Sequence, residues 1–445
     1  RFLYNQRGHQ ALRLIELDPK KERVRTIIDE QNETFVDYSQ KTWLHHRSDD
    51  EVLWMSERSG WNHLYRVNTK TGKATALTKG DWLVRRVLHV RNEDGRAVLW
   101  FEAMGVRPDQ DPYHVHIGRL DLKSRKVTWL TSSDGTHTVD LSTPRPYYVV
   151  AVSRVDAAPQ HELRRASDGQ LMRVLHTESE DALRAKGWRP PERFHAKGRD
   201  GTTDIWGIIH KPSTFDPTKR YPVIEHIYAG PHGHFVPKSF QVWSGPRRMA
   251  ELGFIVVQID GMGTNWRSKA FHDVCWKNLG DSGFPDRIAW MKAAAKTRPW
   301  MDLSRVGIYG GSAGGQSAMR ALLAHGDVYK VAVADCGCHD NRMDKIWWNE
   351  LWMGWPIGPH YEEQSNVTHA HRLQGDLLLI VGELDRNVDP ATTYKVVHAL
   401  IKADKDFDLL VVPGQGHGAA GVPYAQRRQA DFFVRHLLGV EPRRP

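Results

Sequence analysis

A doubly wound, mostly parallel α/β sheet preceded by an all-β part built of repeated blades is the architecture this sequence predicts. Three observations predict it. The run Val306-Gly307-Ile308-Tyr309-Gly310-Gly311-Ser312-Ala313-Gly314-Gly315 reads as a strand (305–309), a glycine-rich turn and the start of a helix (315–325). Short apolar runs at 221–228, 254–260, 377–382 and 409–413 read as buried strands, each ending in a loop. Upstream, the segments Leu12 to Ile28, Leu64 to Thr78, Ile117 to Thr131 and His161 to Leu175 each read strand, turn, strand.

The glycine-rich turn carries the most chemical information. Gly310-x-Ser312-x-Gly314 has the spacing of a nucleophile elbow. Such a turn is so tight that side chains two residues before and after the serine would clash, and glycine removes the clash. The hydroxyl then stands at a sheet edge and at a helix N-terminus, where negative charge is favoured. This feature makes the C-terminal part an α/β-hydrolase domain.

A nucleophilic serine needs a base, and the base needs an orienting carboxylate. The run Leu377 to Gly382 ends in Glu383-Leu384-Asp385-Arg386-Asn387-Val388, and the run Leu409 to Pro413 ends in Gly414-Gln415-Gly416-His417-Gly418. Asp385 and His417 are therefore loop residues at strand ends, where this fold places acid and base. Glu383, nearer the strand end, and Asp389, a helix-cap type of position before Pro390, compete for the acid role. The backbone N–H of Ala313 is one donor for a developing oxyanion, and a side chain at the end of the Tyr228 strand is a second.

The four repeated segments start about 45 to 53 residues apart, a period that suits four-stranded propeller blades. Residues 1–185 are thus expected to be the C-terminal part of a β-propeller with about four blades, and 186–445 the hydrolase. The boundary is read from a polar stretch, Thr177 to Lys186, and from the linker Gly187-Trp188-Arg189-Pro190-Pro191. The hydrolase then opens on a strand pair about the Asp200-Gly201 turn and closes on a helix from Tyr424 to Leu438.

Four motifs occur together and in order: Ile227-Tyr228-Ala229-Gly230-Pro231, the elbow, Gly382-x-x-Asp385-x-Asn387-Val388 and Gly416-His417-Gly418. With them the chain resembles the prolyl oligopeptidase family of serine peptidases, nearest to its dipeptidyl-peptidase IV branch. The segment Ser56 to Tyr65 and Gly135-Thr136-His137 resemble the propeller of that branch. The resemblance implies that Tyr228 donates its hydroxyl to the oxyanion, and that Asn387, beside Val388, contacts a substrate carbonyl near the scissile bond. It implies hydrolysis of short peptides through an acyl-enzyme, with release of N-terminal dipeptides. An esterase or acylaminoacyl-peptidase-like hydrolase would use the same triad. An inactive interaction module is the third reading, and the intact Ser312, Asp385, His417 and Tyr228 argue against it.

The departures concern specificity. The branch carries an aromatic residue after the nucleophile, where this chain has Ala313. It lines a proline-sized pocket with a tyrosine-rich segment before Met-Gly, and here Trp347 and Trp348 precede Met353-Gly354. These tryptophans line an apolar pocket or belong to the core. A strict proline preference is not implied. The glutamate pair that holds the substrate amino terminus in the branch would lie upstream of Arg1, and Glu362-Glu363 reads instead as a solvated helix start.

The chain has 445 residues and no run of about 18 apolar residues. Its net charge of +9 is spread out, and short basic clusters such as Arg58, Arg66 and Lys70 lack the aromatic interleaving of a nucleic-acid site. Three cysteines make no disulfide framework, and Cys336-Gly337-Cys338-His339 is a poor tetrahedral set, so neither metal nor cofactor is expected. The expected partners are a peptide substrate, a missing N-terminal propeller segment and a second copy bound through the hydrolase domain. A chain that opens inside blade sequence is expected to be a piece of a longer protein. The compartment is left open: periplasmic or secreted if a signal peptide lies upstream, cytoplasmic otherwise.

Overall fold

The computed structural model describes residues 1–93, 95–140 and 146–442. They form two compact units: one comprises Arg1–Ala182 with Pro237–Phe240 and Asn265–Val274, the other Leu183–Val236, Gln241–Thr264 and Cys275–Pro445.

The first unit is built of strands, apart from the short helix Lys269–Asp273 and the start of the helix Asp181–Ala185. Its strands form one three-stranded and three four-stranded antiparallel sheets, each a simple meander in chain order. Each repeated segment of the sequence is the last hairpin of one sheet: Ala11–Asp18 with Arg23–Gln31, His63–Asn68 with Ala74–Ala76, His116–Asp121 with Val127–Trp129, and Ala157–Arg165 with Leu171–Thr177. One turn chemistry recurs in them. Asp18, Asn68 and Asp121 each end a strand, and one side-chain oxygen accepts the backbone N–H groups two and three residues on, at 2.7–3.3 Å. Such Asx turns close a hairpin locally and explain the polar residue at that point of these three repeats; the fourth strand ends at Arg165 and turns at Ala166 without an Asx turn at that point. The inward faces pack into apolar clusters, one built on Leu53, Leu64, Leu99 and Phe101. The basic residues of the sequence clusters are ion-paired here, Arg58 with Glu30, Arg66 with Glu51 and Lys70 with Asp50.

The second unit holds an eight-stranded sheet. Its strands are labelled β1 (Glu192–Lys197), β2 (Asp204–His210), β3 (Tyr221–His226), β4 (Ile255–Asp260), β5 (Met301–Gly311), β6 (Tyr329–Asp335), β7 (Asp376–Gly382) and β8 (Asp408–Val412). The order is β1-β2-β4-β3-β5-β6-β7-β8; β1–β2 and β2–β4 are antiparallel and the remaining pairs parallel. Helices cover it: α1 (Phe284–Thr297), α2 (Ala313–Ala324), α3 (Ile346–Met353), α4 (Pro390–Lys402) and α5 (Pro423–Phe433). The central strands are buried on both faces, and all six residues of β4 are buried, so they read as continuous apolar runs rather than alternating ones. The strand before the serine is longer than its apolar run, starting at Met301 and ending at Gly311.

One buried ion pair crosses this core. Arg287 of α1 donates from Nη1 to Glu225 Oε1 of β3 at 2.8 Å, and both side chains are fully buried. The hydroxyl of Tyr329, the first residue of β6, donates to Glu225 Oε2 at 2.7 Å. A carboxylate in an apolar sheet is tolerated only while its oxygens are paired. Arg287→Met should therefore cost about 3–5 kcal/mol of unfolding free energy, because it strands the Glu225 charge. Urea unfolding checks this, and adding Glu225→Gln to the same variant should restore part of the loss.

Candidate active site

The elbow lies between β5 and α2. Ser312 has φ 60° and ψ −122°, a left-handed conformation that a side-chain-bearing residue adopts only when its surroundings enforce it. Two backbone contacts do so. A Cβ on Gly310 or on Gly314 would come within 2.3 Å of the Ile227 carbonyl oxygen, so only glycine lets the turn close against the end of β3. On the other side the Ser312 N–H donates to the Asp335 carbonyl at 2.9 Å, at the end of β6. The Ser312 carbonyl accepts from Gln316 N–H at 3.0 Å, and the chain enters α2 at once.

The loops after β7 and β8 meet beside the elbow. Asp385 Oδ2 accepts from His417 Nδ1 at 2.8 Å; a carboxylate only accepts, so Nδ1 carries the proton and Nε2 keeps its lone pair. Asp385 Oδ1 accepts the N–H groups of Asn387 at 2.8 Å and Val388 at 3.0 Å, which fix the carboxylate's orientation. The Asp385 side chain is fully buried and that of His417 is 25% exposed. The competing acids are occupied elsewhere. Glu383 Oε2 accepts from Gly414 N–H, and Asp389 caps α4 through Ala391 N–H.

Tyr228 follows β3. Its hydroxyl lies beside Ser312, and burial, the larger influence, raises its pKa, so it stays neutral. From it an aromatic wall runs outward. The ring of His232 meets Tyr228 at 5.6 Å and Trp348 at 5.1 Å, and Trp348 meets Trp347 and Trp352, each at 6.0 Å. Trp352 is the core residue of the set; Trp348 is half-buried and Trp347 is 55% exposed. Lys345, just before α3, ties this wall to the acid loop, its Nζ donating to the Asn387 carbonyl and to Asp344 Oδ1, both at 2.8 Å. Asn387 is exposed, whereas Val388 is buried and its N–H is spent on Asp385. Glu362-Glu363 ends a short helix, Pro359–Glu363, rather than starting one, and Glu362 pairs with Arg342.

Two residues stand beside the elbow at the end of β6: Asp335, which the sequence did not single out, and Cys336, which it offered only as part of the Cys-Gly-Cys-His set. Burial raises the Asp335 carboxyl to about 6, partly offset by the Ala420 N–H and the Cys336 thiol, and its Oδ1 is buried without a hydrogen-bond partner. Cys336 Sγ accepts the Gly418 N–H at 3.4 Å. The available signal was positional: they end the strand that follows the nucleophile helix, on the carboxyl edge where ligands gather in such sheets. The remainder of the cysteine motif turns away. Cys338 Sγ donates to the Asp340 carbonyl, and His339, pushed down to about 3 by complete burial, pairs through Nδ1 with Asn366.

Comparison with known proteins agrees in both units. A model of the prolyl oligopeptidase family matches residues 239–439, and a model of the dipeptidyl peptidase IV N-terminal region matches residues 1–159. Residues 239–439 thus belong with the prolyl oligopeptidase family. The chain is 25% identical to dipeptidyl peptidase 8 of Homo sapiens over 434 residues, 88% of the chain and 47% of that protein. It is 28% identical to a probable dipeptidyl-aminopeptidase B of Uncinocarpus reesii over 368 residues, 81% of the chain and 40% of that protein. The chain thus spans about half the length, or less, of these curated relatives, 47% and 40%. The crystal structure of Porphyromonas gingivalis dipeptidyl peptidase 4 shares its fold, with a TM-score of 0.84 at 24% identity over 98% of this chain and 61% of that one.

The raised Asp335 value makes a prediction with a definite sign. Between the ordinary value of 3.8 and the folded value of about 6, the folded chain holds a proton that the unfolded chain has lost. Stability therefore falls as pH rises through that window, and the full loss, about 3 kcal/mol, is present above it. Asp335→Asn keeps the shape and removes the ionisation. In urea unfolding, the stability of the variant relative to wild type should rise by about that amount between about pH 4 and about pH 7. A difference that does not change with pH would contradict the reading.

Proposed function

We propose that the chain is the catalytic part of a serine peptidase that cleaves short peptides through an acyl-enzyme, releasing N-terminal dipeptides. The observation that carries this is the His417–Asp385 pair on the sheet edge that also carries the strained Ser312 elbow, in a chain whose residues 239–439 match this family. In the proposed division of labour residues 1–185 are propeller and 186–445 carry the chemistry.

Ser312 Oγ attacks the scissile carbonyl while His417 Nε2 takes its proton, and Asp385 holds the imidazole in the required tautomer and stabilises the cation formed. The Tyr228 hydroxyl and the Ala313 N–H, the first of α2, receive the negative charge on the carbonyl oxygen. His417 then returns the proton to the leaving amine, and water, activated the same way, releases the acyl group. Trp347 and Trp348 form the apolar side of the substrate site. Asn387 offers its exposed amide to a substrate carbonyl, with Val388 behind it in the acid loop.

A panel of peptidyl-proline, peptidyl-alanine and blocked acyl-amide substrates beside short-chain esters tests the reading. Turnover of substrates with a free amino terminus, with Ser312→Ala inactive and unlabelled by a fluorophosphonate probe, is the expected outcome. Ester turnover without amide turnover would favour the esterase instead, and labelling that survives in Ser312→Ala would remove the serine from its role.

Tyr228→Phe keeps the ring and removes one oxyanion donor. Turnover should fall by roughly a hundred- to a thousandfold. KM should change little, because the uncharged carbonyl of the ground state uses the donor weakly. Turnover within about threefold of wild type would make Tyr228 a packing residue.

A further inference from the structure

Three side chains from three adjacent strand ends converge next to the elbow. Cys336 follows β6, Asp385 follows β7 and His417 follows β8, and these strands are neighbours in the sheet. The Cys336 Sγ, an Asp385 carboxylate oxygen and a ring nitrogen of His417 all lie within 4.8 Å of one another. Among the described residues no other trio of Cys, His, Asp or Glu does this. The sequence hid the cluster because its members are about 30 to 80 positions apart and only the parallel order of the strands brings them together.

The donor set has a chemical preference. Thiolate, imidazole and carboxylate together suit zinc and similar borderline-soft divalent cations, whereas magnesium and calcium require oxygen ligands and, for magnesium, near-ideal octahedral geometry. We propose that Cys336, Asp385 and His417 form an inhibitory site for a thiophilic divalent cation, zinc above all. The inhibitory consequence rests on the catalytic role proposed for His417 and Asp385; the binding does not.

The geometry needs only a small closure. Ligand atoms around tetrahedral zinc stand about 3.5 Å apart. Cys336 Sγ is already drawn to this loop by the Gly418 N–H, and the Asp385 carboxylate is held by two backbone donors. His417, whose side chain is 25% exposed, is the ligand with room to move and the side from which a cation enters. On binding, the Cys336 thiol gives its proton to solvent, the imidazole contributes a neutral lone pair and Asp385 remains a carboxylate. The two charges of the cation are then met by one thiolate and one carboxylate, and a water takes the fourth position. If the cation takes Nε2, the base has lost its lone pair. If it takes Nδ1, the ring proton moves to Nε2 and the bond to Asp385 is broken. Ser312 has no base in either case.

The test combines a direct view of the ligands with an activity measurement on the same chain. X-ray absorption at the zinc edge of the wild-type protein with one equivalent of Zn2+ should show one sulfur neighbour at about 2.3 Å. Co2+ in its place should give a thiolate charge-transfer band in the near ultraviolet that is absent in Cys336→Ser and in Cys336→Ala. Zn2+ should suppress peptidase turnover and fluorophosphonate labelling of the wild type, Mg2+ should not, and both Cys336 variants should need at least about tenfold more zinc for the same inhibition. A zinc shell of nitrogen and oxygen alone, or Cys336 variants as zinc-sensitive as wild type, overturns the proposal. A thiolate band that depends on Cys336 in a chain with no hydrolytic activity would leave the metal site standing and remove the proposed function.

Discussion

The carbonyl of Ile227 is the contact on which the rest of the second unit depends. It is closed in by Gly310 and Gly314, each so near that a Cβ would lie 2.3 Å from it. The Ile227 N–H donates to the Tyr309 carbonyl at 2.9 Å, so the end of β3 is fastened to β5 by its N–H and packed against the two glycines by its carbonyl. Tyr228 is the next residue, and its position beside Ser312 follows from that fastening. The far side of the turn is closed by β6 in the same way, since a Cβ on Gly315 would lie 2.2 Å from the Asp335 carbonyl. The left-handed serine is thus held between two backbone walls, which is how strain of order 1–3 kcal/mol persists at one residue.

Polar groups in this unit are buried under two regimes. Glu225 and Asp385 are carboxylates whose oxygens are taken up by named donors: Arg287 and Tyr329 in one case, two backbone N–H groups and His417 in the other. Asp335 has too few donors for its burial, and its raised value is the result. One serves the core and one orients an imidazole, while the third lies beside the thiol that completes the proposed cation site. The sheet brings Asp335, Cys336, Asp385 and His417 together because β6, β7 and β8 run parallel and end on the same edge.

The parts legible in the sequence were those with a local signature. The strand–glycine–serine–helix run, the acid loop with its Asp-x-Asn-Val and the Gly-His-Gly loop each announce their backbone geometry within ten residues. The four hairpins were legible because a strand–turn–strand pattern recurs at the blade period, with an Asx turn in three of them, and the fold class followed. What depends on through-space neighbours was not legible. Nothing around Glu225 or Arg287 names the other, and Cys336 reads as part of a Cys-x-Cys-His motif although its neighbours come from other loops. Trp348 and Trp352, four residues apart, share one face of α3, yet only Trp352 enters the core while Trp348 is half-buried and Trp347, off that face, is exposed. The segments Pro237–Phe240 and Asn265–Val274, read with the hydrolase from their place in the chain, pack into the first unit through contacts such as Lys238 to Asp111 at 2.8 Å.

The central claim is that the backbone closure around Ile227 delivers Ser312, Tyr228 and the first N–H of α2 to one reacting carbonyl. A crystal structure of the chain inactivated by a dipeptidyl phosphonate diester with a free amino terminus tests it most directly. The account predicts phosphorus bonded to Ser312 Oγ, with one phosphoryl oxygen about 2.7–3.1 Å from both the Tyr228 hydroxyl and the Ala313 nitrogen. Phosphorus on another residue, or a phosphoryl oxygen turned to solvent with the Tyr228 hydroxyl out of reach, would contradict it.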